Sequence, residues 1–241
     1  MEILAKYKGK KIIFCLPGDS YSRKFLSNIL GLNTTLIHFN IKTSFSQSSG
    51  SSIHQLRDVC GGGNPLNGLY QTPFSSSGLD YDYLLWVDSD ILFNRDSFER
   101  LLEADKDVVS GWYMDKDLNP AFGFTKTQKS EYKEKTLSLP LYDRDHLYSF
   151  HNDSDVEGKT QLYKIDWVGM GWILIKKGVM EQIKYPWFSP KLVRVLGRTP
   201  DDDAVISLSE DLSFQLSLKE AGIDIWLDPL ARVGHEKVRV L

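Results

Sequence analysis

The sequence predicts an α/β fold with a mixed, mostly parallel central sheet, flanked by helices and carrying a small antiparallel element. Three observations point there. Short, uniformly apolar runs such as Ile12-Ile13-Phe14-Cys15-Leu16 and Tyr83-Leu84-Leu85-Trp86-Val87 read as strands covered on both faces. Stretches with apolar residues at three- and four-residue spacing separate them, as in helices that cross between parallel strands. The second run ends on Asp88-Ser89-Asp90, at the carboxyl end of a strand, where open α/β sheets hold ligands.

Along the chain, residues 11–16 form a first strand stopped by Pro17-Gly18-Asp19-Ser20, and residues 22–30 a helix with Phe25/Ile29 and Leu26/Leu30 at i,i+4 spacing, closed by Gly31. Residues 34–39 read as a second strand. The serine-rich stretch 43–52 reads as a flexible loop that caps the next helix, which carries Ile53, Leu56 and Cys60 and ends at Gly61-Gly62-Gly63-Asn64-Pro65. After the Asp88 strand, Asp96-Ser97-Phe98-Glu99 has capping-box spacing, with Phe98, Leu101 and Leu102 as the buried stripe of a helix. Residues 107–113 form the next strand. Charged residues and scattered tyrosines then dominate 115–164, read as extended hairpin-like elements and loops. The run 165–175 is a glycine turn leading into a buried strand, and 177–183 is a short helix. Residues 191–203 read as a mobile lid or a partly disordered segment. Ser207-Leu208-Ser209-Glu210 opens a helix ended by Gly222, with Glu210 and Asp211 in its first turn. Ile223, Ile225 and Leu227 alternate on a closing strand, and Gly234-His235 follows.

Length and composition narrow the classes. The 241 residues, 41% hydrophobic, suit one domain spanning 1–241, with a nucleotide-binding half at about 10–113 and an acceptor half at about 114–241. A net charge of -3 with interspersed signs offers no basic stripe for nucleic acid. The two cysteines, Cys15 and Cys60, read as buried thiols of a reducing compartment. Residues 1–11 hold no apolar run of signal or membrane length, so a soluble, cytoplasmic protein without an integral membrane segment is expected. There is no G-x-G-x-x-G or P-loop lysine pattern, which sets aside dinucleotide enzymes and P-loop NTPases.

The chemistry concentrates at Asp88 and Asp90. Side chains alternate along a strand, so the two project to one side with Cα atoms roughly 6.6 Å apart. Their repulsion is relieved by a shared divalent cation or by a raised pKa on one of them, although an Asx-rich turn explains the pattern equally well when taken alone. Arg57 reads either as a solvated surface arginine or as a contact to a nucleotide base or phosphate. Gly111 either lets a ligand approach the backbone or marks a bulge. Gly169 and Gly171 leave room beside Trp167 and Trp172 for a flat group, or the tryptophans simply pack in the core.

Together, Arg57-Asp58, Asp88-Ser89-Asp90, Val109-Ser110-Gly111-Trp112-Tyr113, Val168-Gly169-Met170-Gly171-Trp172, Pro186-Trp187-Phe188, Ser209-Glu210-Asp211 and Val233-Gly234-His235 resemble, in order and spacing, the GT-A class of nucleotide-sugar-dependent glycosyltransferases. The likeness runs over most of the chain and extends to small, virus-encoded enzymes of family-2-like type. It implies a metal-dependent, inverting transfer of a sugar from a nucleoside diphosphate donor, most commonly UDP-linked, to a hydroxyl of a glycan or glycoprotein. By the same likeness, Asp90 and His235 are direct ligands of Mn²⁺ or Mg²⁺, with Asp88 reaching the metal through water or the ribose. Asp211 is the general base and Glu210 its second choice. Pro17, Asp19, Tyr21, Arg57, Asp88, Ser89, Gly111, Trp112, Gly169 and Gly171 border the nucleotide sugar. An expelled diphosphate needs charge neutralisation, and oxygen ligands with one imidazole suit Mn²⁺.

Three rivals share parts of this pattern. A D-x-D phosphatase of the haloacid dehalogenase type places its motif at the start of the fold, whereas here it is mid-chain. A sugar-phosphate nucleotidyltransferase needs a basic first loop, for which Arg23-Lys24 is the candidate. A carbohydrate-binding module has no use for a base.

Overall fold

The computed structural model describes residues 3–115, 121–123, 162–195 and 204–236. A seven-stranded sheet forms its centre. In chain order its strands are β1 (Lys11–Pro17), β2 (Lys42–Ser48), β3 (Tyr83–Val87), β5 (Val108–Trp112), β7 (Tyr163–Ile165), β9 (Trp172–Lys176) and β12 (Ile225–Arg232), arranged β2-β1-β3-β9-β5-β12-β7. Five strands run one way; β9, wedged between β3 and β5, and β7, at the edge, run the other. The mixed, mostly parallel sheet and flanking helices are thus as the sequence predicts. Small antiparallel pairs accompany it: β4 (Ile91–Leu92) with β13 (Gly234–His235), β6 (Phe122–Gly123) with β8 (Trp167–Val168), and β10 (Leu192–Val195) with β11 (Ala204–Ser207).

Alternation on each strand builds two cores. Ile12, Phe14, Leu85, Val87 and Leu174 face helices α1 (Arg23–His38) and α3 (Arg95–Ala104). Ile13, Cys15, Leu84, Trp86 and Ile173 face the other way, toward α2 (Ile53–Cys60) and α4 (Glu210–Glu220), where Cys60, Phe214 and Leu218 are buried. Every residue of β3 and β5 is buried, as strands covered on both faces require.

Several expectations are corrected. Residues 34–38 are helical, not a strand: α1 runs through Gly31 because Phe25, Ile29, Leu32 and Leu36 continue one buried stripe, and that stripe outweighs the roughly 1 kcal/mol propensity cost of an exposed glycine. The second strand is instead β2, in the serine-rich stretch read as a loop. It pairs in parallel with β1 from Lys11↔Lys42 to Pro17↔Ser48, and an edge strand tolerates a polar sequence when its apolar member, Phe45, stacks on Phe14. Helix α3 is capped by Asn94 and Ser97, not by Asp96 and Glu99, and α4 by Ser209, not by Ser207. The expected helix at 177–183 is a single 3₁₀ turn, Met180–Gln182. Residues 192–195 and 204–207 form a hairpin, and the intervening part of the expected lid lies outside the described residues, as does most of 115–164. Both cysteines are buried free thiols, and among the described residues no helix is long and apolar enough to cross a membrane.

Gly111 sits on β5 beside the irregular stretch of its parallel neighbour β12. A Cβ there would lie 1.9 Å from the Ala231 carbonyl oxygen and 2.7 Å from Trp172, so the missing side chain is accounted for by strand packing. Gly111→Ala is expected to cost about 1–3 kcal/mol by overpacking, with a melting temperature several degrees lower in a thermal melt.

Candidate active site

The carboxyl ends of β1, β2, β3 and β5 share one rim of the sheet, and the reversed direction of β9 brings its incoming turn, Gly169-Met170-Gly171, to the same rim. The loop after β1 closes one side. Asp19 accepts a hydrogen bond from Gly50 N at 3.0 Å, and Gly18, at φ 144°, passes so close to Ser89 that a Cβ would meet its side chain at 2.8 Å. Pro17 ends β1 and is buried. Tyr21 donates its hydroxyl to the Leu16 carbonyl and stacks on Phe25. These residues and Ser89 therefore gather at one wall.

Arg57 is carried on α2. It is 2% exposed, which excludes the solvated surface reading. Its Nη1 and Nη2 donate to the two oxygens of Asp88 at 2.9 and 3.2 Å, and its Nε lies 3.2 Å from Asp211 Oδ1 and 3.6 Å from Glu210 Oε1. Burial works against its charge, yet Asp211, Asp88 and Glu210 together hold its pKa above the ordinary arginine value. The carboxylates of α4 reach it because Ser209 caps the helix, its Oγ accepting from Leu212 N, which sets Glu210 and Asp211 in the first turn.

Asp211 is fixed from two sides. Its Oδ2 accepts from Met170 N at 3.2 Å, while Oδ1 is turned inward against Arg57 and has no hydrogen-bond partner among the described residues; the 3.2 Å contact to Nε is an ion pair whose angle is too poor for a hydrogen bond. Burial pushes the Asp211 pKa up, Arg57 opposes that, and Asp88 and Glu210 add to it. The turn that supplies Met170 N is pinned from α4 at the end of β8: Gln215, one turn after Asp211, accepts from Val168 N at 2.7 Å and donates to Val168 O.

Tyr113 fills the space that the glycines open. Its hydroxyl accepts from Gly171 N at 3.2 Å, and a Cβ on Gly169 would stand 2.1 Å from that oxygen. Burial, then Asp88 and Asp211, raise its pKa, so it stays a neutral phenol. Trp172 is fully buried against Phe93, and Trp112 is 3% exposed with its indole donating to Pro229 O. Gly169, Gly171, Gly111 and Trp112 thus have packing partners, and the room beside the glycines is taken by Tyr113.

β13 pairs with β4 in the register His235↔Ile91, and Glu236 N donates to Asp90 O. This closure brings residue 235 to residue 90. His235 Nδ1 lies 2.6 Å from the Met114 carbonyl, which only accepts, so Nδ1 carries the proton. Nε2 then turns its lone pair toward Asp90 Oδ2 at 3.1 Å, two acceptors face to face that a proton or a cation must bridge. That donor pair fits a divalent ion of the Mn²⁺ or Mg²⁺ kind. Among the described residues no group of three His, Cys, Asp or Glu side chains converges on one point, and Asp88 has both oxygens in the Arg57 fork. The remaining positions of such an ion would fall to ligand oxygens and water.

Tyr113, Gln215, Met170 N and Met114 O are parts of the site that sequence reasoning missed. Gln215 alone had a signal, its i,i+4 spacing from Asp211 on a capped helix.

No family model matches the chain, and no curated protein does. Among solved structures it is similar to A197 from STIV, with 16% identity, a TM-score of 0.46 and coverage of 96% of each chain. It is also similar to GalNAc-T7 crystallised with UDP, GalNAc and Mn²⁺, with 10% identity, a TM-score of 0.46, and coverage of 94% of this chain and 44% of that one.

Proposed function

We propose that the chain is a metal-dependent glycosyltransferase that moves a sugar from a nucleoside diphosphate donor, UDP-linked, to a hydroxyl of a glycan or glycoprotein with inversion. The observation that carries this reading is how the D-x-D is held. Asp90 and the Nε2 lone pair of His235 face each other at 3.1 Å, and two residues earlier Asp88 is joined through Arg57 to Asp211, which Met170 N orients. The motif order that resembles GT-A enzymes supports it as well.

Asp90 and His235 would hold the ion, which when bound supplies positive charge against the diphosphate leaving group. The chain's own residues do the rest. Pro17, Asp19, Tyr21 and Ser89 form the wall along which the nucleotide would lie, and Asp88 is a fixed acceptor for a donor hydroxyl. Asp211 Oδ2 takes the proton of the attacking hydroxyl, since it keeps a lone pair beside its bond from Met170 N. Glu210 adds negative charge next to it. A phosphatase with Asp88 as nucleophile fits less well, because the guanidinium fork engages both of its oxygens.

A thermal-shift screen of nucleotide sugars with and without Mn²⁺ tests the reading. Stabilisation by one diphosphate sugar that requires the metal is expected, amounting to about 2.7 kcal/mol at a hundredfold excess over Kd. Metal-independent stabilisation by phosphomonoesters alone would overturn it.

A further inference from the structure

Arg57 is surrounded by more negative charge than it neutralises: Asp88, Glu210 and Asp211 are three carboxylates against one guanidinium, carried on two separate parts of the fold. A scaffold ion pair needs one carboxylate, and replacing a buried pair by apolar side chains is often neutral or stabilising. A buried cation among an excess of carboxylates asks for another role. The two ends of the guanidinium act differently. The Nη atoms fix the plane of the Asp88 carboxylate in a two-pronged contact. The Nε end draws Asp211 Oδ1 inward without a hydrogen bond, while Oδ2 is left to Met170 N.

We propose that Arg57 is a positioning residue that couples the D-x-D loop to the base: it grips Asp88, turns Oδ1 of Asp211 inward, and thereby fixes Oδ2 as the oxygen that meets the acceptor hydroxyl. The proposal rests on the transferase reading for what Asp211 does, but the orientation it assigns is a property of this chain.

Arg57→Lys is the test, since it keeps a positive charge but has neither the planar fork nor an Nε. Two readouts are compared. Crystals of the variant should show Asp211 released from Met170 N. In transfer assays kcat should fall about 10²-fold, the cost of a base misplaced by about 1 Å. In an Asp211→Asn background, adding Arg57→Lys should leave the residual kcat unchanged within about twofold, while the donor KM still rises through Asp88. A full 10²-fold further loss of kcat in that background, or an unmoved Asp211 in the Arg57→Lys crystals, would overturn the proposal. Should Arg57→Lys fail to fold, Arg57→Gln with Asp88→Asn removes charge from both partners and is read by the same two measurements. Displacement of Asp211 in a protein whose wild type transfers no sugar would keep the positioning role and sink the transferase reading instead.

Discussion

Asp211→Asn is expected to lower kcat for sugar transfer by about 10²–10⁴-fold, or about 2.7–5.5 kcal/mol of activation free energy, with the Kd of the nucleotide donor changed less than twofold. The amide is isosteric and its oxygen still accepts from Met170 N, so the fold of the site is kept while the proton acceptor is lost. The same residue sets the pH dependence. Burial raises the Asp211 pKa above its ordinary value, and a base works only when deprotonated. The acid limb of the kcat profile should therefore lie above the ordinary carboxylate range near ~4, with activity rising as pH climbs through it. In Asp211→Asn that limb should vanish from the residual rate. Stopped assays across pH with donor binding measured in parallel check both expectations. A variant that binds donor as poorly as it transfers would place Asp211 in the binding site instead.

The second large effect is expected from Asp90→Ala. It removes one of two side chains that meet at 3.1 Å, and leaves the His235 ring with Met114 O and the edge contact of Tyr113. Mn²⁺-dependent stabilisation by a diphosphate nucleotide should disappear, a fall in apparent affinity of at least 10²-fold, since a single imidazole is a poor site for a hard cation. His235→Ala should do the same. Calorimetric titration of UDP with and without Mn²⁺ reads the difference directly, and an unchanged metal requirement in either variant would contradict the ligand assignment.

Much of the fold was legible because its signals are local. The buried runs of β1, β3, β5 and β9 announce themselves by composition, and the D-x-D follows from the strand that carries it. Glu210 and Asp211 are found by the helix cap before them, although the capping serine is Ser209 and the boxes were misplaced by two residues. What stayed hidden depends on partners far along the chain. A polar edge strand such as β2 is recognisable only once Phe14 is seen beneath Phe45. The reversal of β9, which delivers Met170 N to Asp211, leaves no mark on its apolar sequence. Arg57 reads as a surface residue because arginines are mostly exposed, and only the approach of Asp88 and α4 from distant positions explains a buried one. The neighbours of the glycines are equally distant in sequence: Tyr113 lies beside Gly169 and Gly171, and Ala231 beside Gly111.

The central claim is that one divalent ion sits between the loop after β3 and the strand at the far end of the chain. Anomalous diffraction at the manganese edge, from crystals soaked in Mn²⁺ and UDP, addresses it most directly. The account predicts a peak within about 2.0–2.3 Å of Asp90 Oδ2 and His235 Nε2, with diphosphate oxygens completing its coordination. A structure with UDP bound and no manganese between these two side chains would contradict it.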